Sequence, residues 1–213
     1  MTNQPTPIAL LGGAGKAGRP LAEAALTAGY SVRLLLRHPD LFTLKHDSLT
    51  IIRGDARDPN CLRQLLVGCR AVLSTLGNPK EEGVPILSAV TQQLLPMMAE
   101  CAIRRYVTVT TLYETDQPPT HAPTRLAAGY MATHFPAFMA DRRLEYRLLQ
   151  TSPFDWTYAR LPHLVQAPPT GRVAVSMDHL PGEQITVADL AQWLLAQLDE
   201  AQYVGQAPFV ANG

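Results

Sequence analysis

Glycines at positions 12, 15 and 18 stand at a spacing, G-x-x-G-x-x-G, that suits the cradling of a phosphate. Each glycine has a physical task. Gly12 lets the chain turn sharply off a strand, Gly15 lets the backbone approach a pyrophosphate, and Gly18 lets the next helix pack closely on a sheet. The phosphate then faces free N–H groups and the positive dipole end of that helix. The spacing holds one residue more between the first two glycines than the dinucleotide fingerprint does.

Glycine clusters also occur in ordinary turns, so the surrounding elements decide between the two. An apolar segment (7–11) precedes the cluster, a helix-forming segment (19–28) follows it, and a second apolar segment (31–36) stands where a β-α-β unit needs one. At the end of that second strand, about 20 residues past the glycines, an acidic residue would grip the ribose 2′-hydroxyl of NAD. This chain has Arg37-His38 there. A guanidinium fork suits a 2′-phosphate, so the expected cofactor is NADP(H), with Arg37 on the phosphate and Lys16 and Arg19 assisting.

The elements that must position these residues continue in alternation, which implies an α/β, doubly wound, mostly parallel sheet in one domain over residues 1–213. A third strand (49–53) runs into Gly54-Asp55, where Asp55 can meet an adenine amino group. Asp58-Pro59 is a helix start, with aspartate capping and proline in the first turn. A fourth strand (71–75) ends in Leu76-Gly77, and the carboxyl ends of such strands line the ligand crevice. A helix over 84–102 is kinked at Pro96, and a β-branched fifth strand (105–110) ends toward the nicotinamide position.

Beyond it, residues 111–126 are proline- and threonine-rich and read as a long binding loop, one wall of a substrate pocket that includes Tyr113. Residues 127–150 read as helical, interrupted at Pro136, and carry Tyr130, His134 and Phe135. These aromatics either face a flat substrate or pack on the sheet. A sixth strand (152–160), a strand over 172–176, a helix opening at 185–190 with Thr186 as cap, and a short strand (208–210) closing the sheet complete the chain.

Composition narrows the classes. Eighteen basic and 18 acidic residues leave a formal charge of zero, with no long basic run, so neither nucleic acid nor a membrane surface is expected as partner. Cys61, Cys69 and Cys101 form no C-x-x-C pair, which points away from a zinc site and a disulfide framework and toward a reducing compartment. With no signal-like N-terminus and no apolar run of spanning length, the expected location is cytoplasmic. Monomer and homodimer both stay open.

The sequence resembles the atypical short-chain dehydrogenase/reductases with an NAD(P)-binding Rossmann fold, and within them the flavin reductase or biliverdin-IXβ reductase group. The resemblance rests on residues 12–18, Arg37, Gly54-Asp55, Ser74-Thr75-Leu76-Gly77, the threonines ending the fifth strand, and segments 154–164 and 185–190. It implies that Gly12, Gly15, Lys16 and Ala17 hold the pyrophosphate, beside Gly18 of the glycine spacing, that Arg37 holds the 2′-phosphate and Asp55 the adenine, and that Leu76 and Gly77 border the ribose. The resemblance places Thr111 and His163 near the nicotinamide and the incoming acceptor, as the catalytic candidates, while the reading of segments 111–126 and 127–150 above makes Tyr113, Tyr130 and Phe135 the substrate-pocket candidates. The group usually has serine where this chain has Thr111.

The best-known short-chain dehydrogenases use Tyr-x-x-x-Lys, whose ammonium stabilises the phenolate that moves a proton. Here the matching run is Tyr130-Met131-Ala132-Thr133-His134, without the lysine. Hydride transfer to a flavin or quinone asks for less acid-base help, because the acceptor is already electrophilic. The expected function is an NADPH-dependent reductase of such a small conjugated acceptor, with FMN or FAD as substrate. The alternatives are a dinucleotide-binding redox sensor like the NmrA-like relatives, and a carbonyl reductase or epimerase. No metal is expected.

Overall fold

Ile8–Leu11 are four apolar residues in a row, all buried, and they form the central strand β1 of an eight-stranded sheet. The computed structural model describes residues 6–78, 83–111 and 121–213. A strand covered on both faces needs an apolar side chain at every position, which is why β1 is a continuous run rather than an alternation. On one side β1 pairs in parallel with β2 (Val32–Leu36), which pairs in parallel with β3 (Leu49–Arg53). On the other side it pairs in parallel with β4 (Ala71–Ser74), followed by β5 (Arg105–Thr111) and β6 (Asp155–Leu161). Strand order therefore reverses at β1, and the crevice beyond the carboxyl ends of β1 and β4 is where ligands of doubly wound sheets lie.

The sheet's period of two sorts its side chains into two cores. Ala9, Leu11, Val72, Tyr106, Trp156 and Tyr158 face α2 (Pro59–Leu66), α3 (Leu87–Glu100) and α5 (Pro136–Gln150). Ile8, Leu10, Leu34, Leu73, Val107 and Ala159 face α1 (Gly18–Thr27) and α6 (Val187–Ala196). Helix starts follow local chemistry. The Asp58 carboxylate accepts from the Asn60 N–H with Pro59 next to it, and the Thr186 hydroxyl accepts from the Asp189 N–H. Helix α3 takes its cap from another element: Asp141 of α5 accepts from the N–H groups of Leu87 and Ser88 and from the Ser88 hydroxyl.

Several boundaries differ from expectation. Helix α4 (Ala122–His134) starts inside the stretch read as loop up to 126, because Pro123 lies in its first turn, where a missing N–H is tolerated. His163–Val165 (β7) and Gln184–Thr186 (β9) pair in parallel as a separate two-stranded sheet, so the helix expected to open at 185 begins at Val187. The last strand, β10 (Phe209–Asn212), does not lie at the sheet's edge. It inserts between β6 and β8 (Val173–Ser176), parallel to the first and antiparallel to the second.

Candidate functional site

The turn after β1 is fixed by close backbone approaches. Gly12 has φ of 78°, and a Cβ there would stand 2.6 Å from the backbone of Thr75 and Leu76 at the end of β4. Its carbonyl accepts from the Gly15 N–H at 2.9 Å, and the Gly15 carbonyl then accepts from the Arg19 N–H. A Cβ on Gly13 would fall 2.0 Å from a Leu34 methyl. Gly18 differs from expectation. A Cβ there would meet the Gly12 carbonyl oxygen at 2.1 Å, so this glycine lets the helix start sit on its own loop rather than on the sheet.

Helix α1 has neither a side-chain cap at Ala17 nor an acidic residue in its first turn. Helices α2 and α6 satisfy their ends internally, through Asp58 and through Thr186 with Asp189. An uncapped N-terminus at a glycine loop is an anion-binding arrangement.

That loop forms one wall of a cleft of about 340 Å³ at the carboxyl ends of β1 to β4. Of the expected cofactor residues, Gly12, Gly15, Arg37, Asp55, Leu76 and Gly77 line it. Ala17 and Gly18 are buried behind the loop and are not among the lining residues. Lys16 is not among them either: its Nζ donates to the Leu164 carbonyl in β7 at 2.5 Å, tying the glycine loop to the strand that begins with His163. Gly13, Ala14, Gly54, Arg57, Asn78 and Ile86 also line the cleft. Among these, Gly54 stands in the sequence beside Asp55, and Arg57 has only its place two residues past Asp55 to announce it.

Among the described residues, the charged ones lining the cleft are Arg37, Arg57 and Asp55, two positive and one negative. Asp55 is gripped by Arg57. Nε donates to Oδ1 at 3.0 Å, Nη2 to Oδ2 at 2.6 Å, and the Arg57 backbone N–H to Oδ1 at 2.9 Å. The Arg57 side-chain bond holds the Asp55 carboxyl below its ordinary range against partial burial, and the charge of Arg37 adds to the effect.

The acceptor-side candidates lie elsewhere. Thr111 ends β5 and pairs in register with Leu161 at the end of β6, and His163, two residues on, is exposed. Tyr130 is 59% exposed, with its ring 4.1 Å from that of His134 one helical turn away, and Phe135 is 48% exposed. None of these four lines the cleft, whose walls come from the first half of the chain. Tyr113 lies outside the described residues. A second cavity, between α3 and α5, is bounded by Pro96, Leu148, Pro153 and Phe154 near the amino end of β6 and is remote from this crevice.

A glycine cradle that a Cβ would fill, an uncapped helix end and an excess of guanidinium fit a dinucleotide diphosphate. The family model described as NAD(P)H-binding matches residues 12–201. Among solved structures, ChuY, an anaerobillin reductase from Escherichia coli O157:H7, is 22% identical with a TM-score of 0.78, covering 97% of each chain. A wide-type short-chain dehydrogenase/reductase from Veillonella parvula, in complex with NADP, is 17% identical with a TM-score of 0.77, covering 96% of this chain and 94% of that one. The oxidoreductase ylbE from Lactococcus lactis is 15% identical with a TM-score of 0.78, covering 97% and 90%. At these identities the likeness is one of fold.

Proposed function

The chain belongs to the NAD(P)H-binding family, and from that premise we propose that it is an NADPH-dependent reductase delivering hydride to a flavin, quinone or similar flat conjugated acceptor. The single observation that carries the choice of NADPH over NADH is Arg37, lining the cleft at the end of β2 where NAD-selective sites use a carboxylate. The missing lysine partner of Tyr130 supports an acceptor that needs little acid-base help. The bound nicotinamide supplies hydride.

The chain's own residues then have limited tasks. Backbone N–H groups of the glycine loop and the N-terminus of α1 hold the diphosphate, Arg37 holds the 2′-phosphate, and Leu76 and Gly77 border the ribose. Thr111 orients the reacting rings from the end of β5. His163 orients the acceptor and passes it the proton that completes its reduction, in competition with solvent. Tyr130 and Phe135 offer aromatic faces to a planar substrate, with FMN or FAD as substrate rather than resident group. A cytoplasmic location accords with three free cysteines.

Mixing the protein with NADPH and a panel of FMN, quinones and biliverdin tests this reading: oxidation of NADPH by one of them is expected, and oxidation by none overturns it. Arg37→Ala should weaken NADP⁺ binding about tenfold or more while sparing NAD⁺. The exposure of Tyr130, Phe135 and His163 favours a second reading, a redox sensor that binds the dinucleotide and acts through a partner. It expects comparable affinity for both redox forms and no turnover. Tyr130→Phe abolishes activity only if the enzyme is a carbonyl reductase or epimerase.

A further inference from the structure

Asp55 and Arg57 are two residues apart, yet their side chains close into a two-bond fork, and the Arg57 backbone N–H donates to the same carboxylate. A carboxylate offers about four acceptor positions, and three donors from one residue leave little of Asp55 for the adenine amino group that the family resemblance assigns to it. The pair remains accessible, with 30% of the Asp55 side chain and 42% of the Arg57 side chain exposed, and both face the cleft that Arg37 also lines. Two guanidiniums and one carboxylate are thus gathered where the second and third strands end.

We infer that Arg57 is a second determinant of 2′-phosphate specificity, and that Asp55 is its resident counter-ion. The inference rests on the proposal that this cleft holds NADPH. A 2′-phosphate brings close to two negative charges and three acceptor oxygens, and it competes with a single carboxylate for the same fork. In the absence of phosphate, Asp55 neutralises the guanidinium, and the phosphate must displace that carboxylate to take the fork. A nucleotide without the phosphate leaves the Asp55–Arg57 pair undisturbed and gains nothing from it.

Calorimetric titration of the full chain with NADP⁺ and with NAD⁺ tests this without reference to turnover. Arg57→Met, which keeps the aliphatic stem, should weaken NADP⁺ about tenfold or more. It should change NAD⁺ by less than about threefold, the range of a lost surface contact. Asp55→Asn, which keeps an acceptor for the backbone N–H, should tighten NADP⁺ relative to NAD⁺ by removing the competitor. Unchanged melting temperatures establish that both variants fold. If Arg57→Met weakens both nucleotides equally, or neither, the inference is overturned. If Asp55→Asn weakens both equally, Asp55 belongs to the adenine and the inference likewise falls. Should the unaltered protein bind NADP⁺ no better than NAD⁺, the underlying NADPH reading fails first, a result distinct from either variant's behaviour.

Discussion

The carbonyl oxygen of Gly12 occupies the place where a Cβ on Gly18 would stand, 2.1 Å away. Loop and helix start are packed backbone to backbone, so no side chain can yield. Gly18→Ala should lower the melting temperature and abolish dinucleotide uptake, because the loop must shift to admit a methyl. Gly129, inside α4, has nothing within 4 Å of its missing Cβ. Gly129→Ala should therefore stabilise the protein by about 0.5–1 kcal/mol, read from thermal or denaturant unfolding.

Asp189 is a buried carboxylate that ties three segments together. It accepts from the N–H groups of Thr170 and Gly171, the hydroxyls of Thr170 and Thr186, and the amide of Asn212. Burial pushes its pKa up, and the bonds from Thr170, Gly171 and Asn212 outweigh burial and hold it well below the ordinary range. Its unfolded value is about 4, so the stability it contributes is complete above that pH and is lost as pH falls toward the lower folded value. Asp189→Asn should cost about 2 kcal/mol at neutral pH and flatten the acid limb of the stability curve. An acid limb as steep as that of the unaltered protein would contradict this.

Glu145 of α5 is buried under the sheet among Arg142, Tyr158 and Thr91. Burial raises its pKa, while Arg142 and the hydroxyls of Tyr158 and Thr91 oppose the shift. With a folded value above the unfolded one, its contribution to stability declines as pH rises between the two. Glu145→Ala leaves the Arg142 guanidinium, only 5% exposed, without this counter-ion and should cost about 3 kcal/mol or more in chemical denaturation. Replacing both residues by apolar side chains of similar volume should recover most of that loss.

Lys16 separates two roles. The family resemblance places it on the pyrophosphate, whereas its Nζ donates to the Leu164 carbonyl beside His163. If that bond positions β7, Lys16→Met should reduce turnover with the conjugated acceptor and leave the NADP⁺ dissociation constant within about threefold, as for a lost surface contact. A large rise in the dissociation constant would return Lys16 to the phosphate.

Much of this architecture is legible in the sequence because fully buried parallel strands must be apolar runs, as in 8–11 and 71–73. Asp58-Pro59 and Thr186 announce their helices because capping is local chemistry. Strands β7 and β9 escape such reading, since three residues carry no period and each exists by pairing with the other. The position of β10 is equally a matter of pairing, which no window of residues contains. In the cleft, Gly12 and Arg37 could be placed by their distance from strand ends. Arg57 could not, because its orientation depends on the Asp55 carboxylate and its neighbourhood on a different strand.

Because, among the described residues, β10 is the only strand that β8 pairs with, the segment 173–176 waits for residues 209–212 before it joins the sheet. On a ribosome this inverts the usual order: more than thirty residues must emerge after β8 before its hydrogen-bonding edge is covered. Until then β6 also presents an open flank. Nascent or C-terminally clipped chains should therefore be the forms that chaperones and proteases find first.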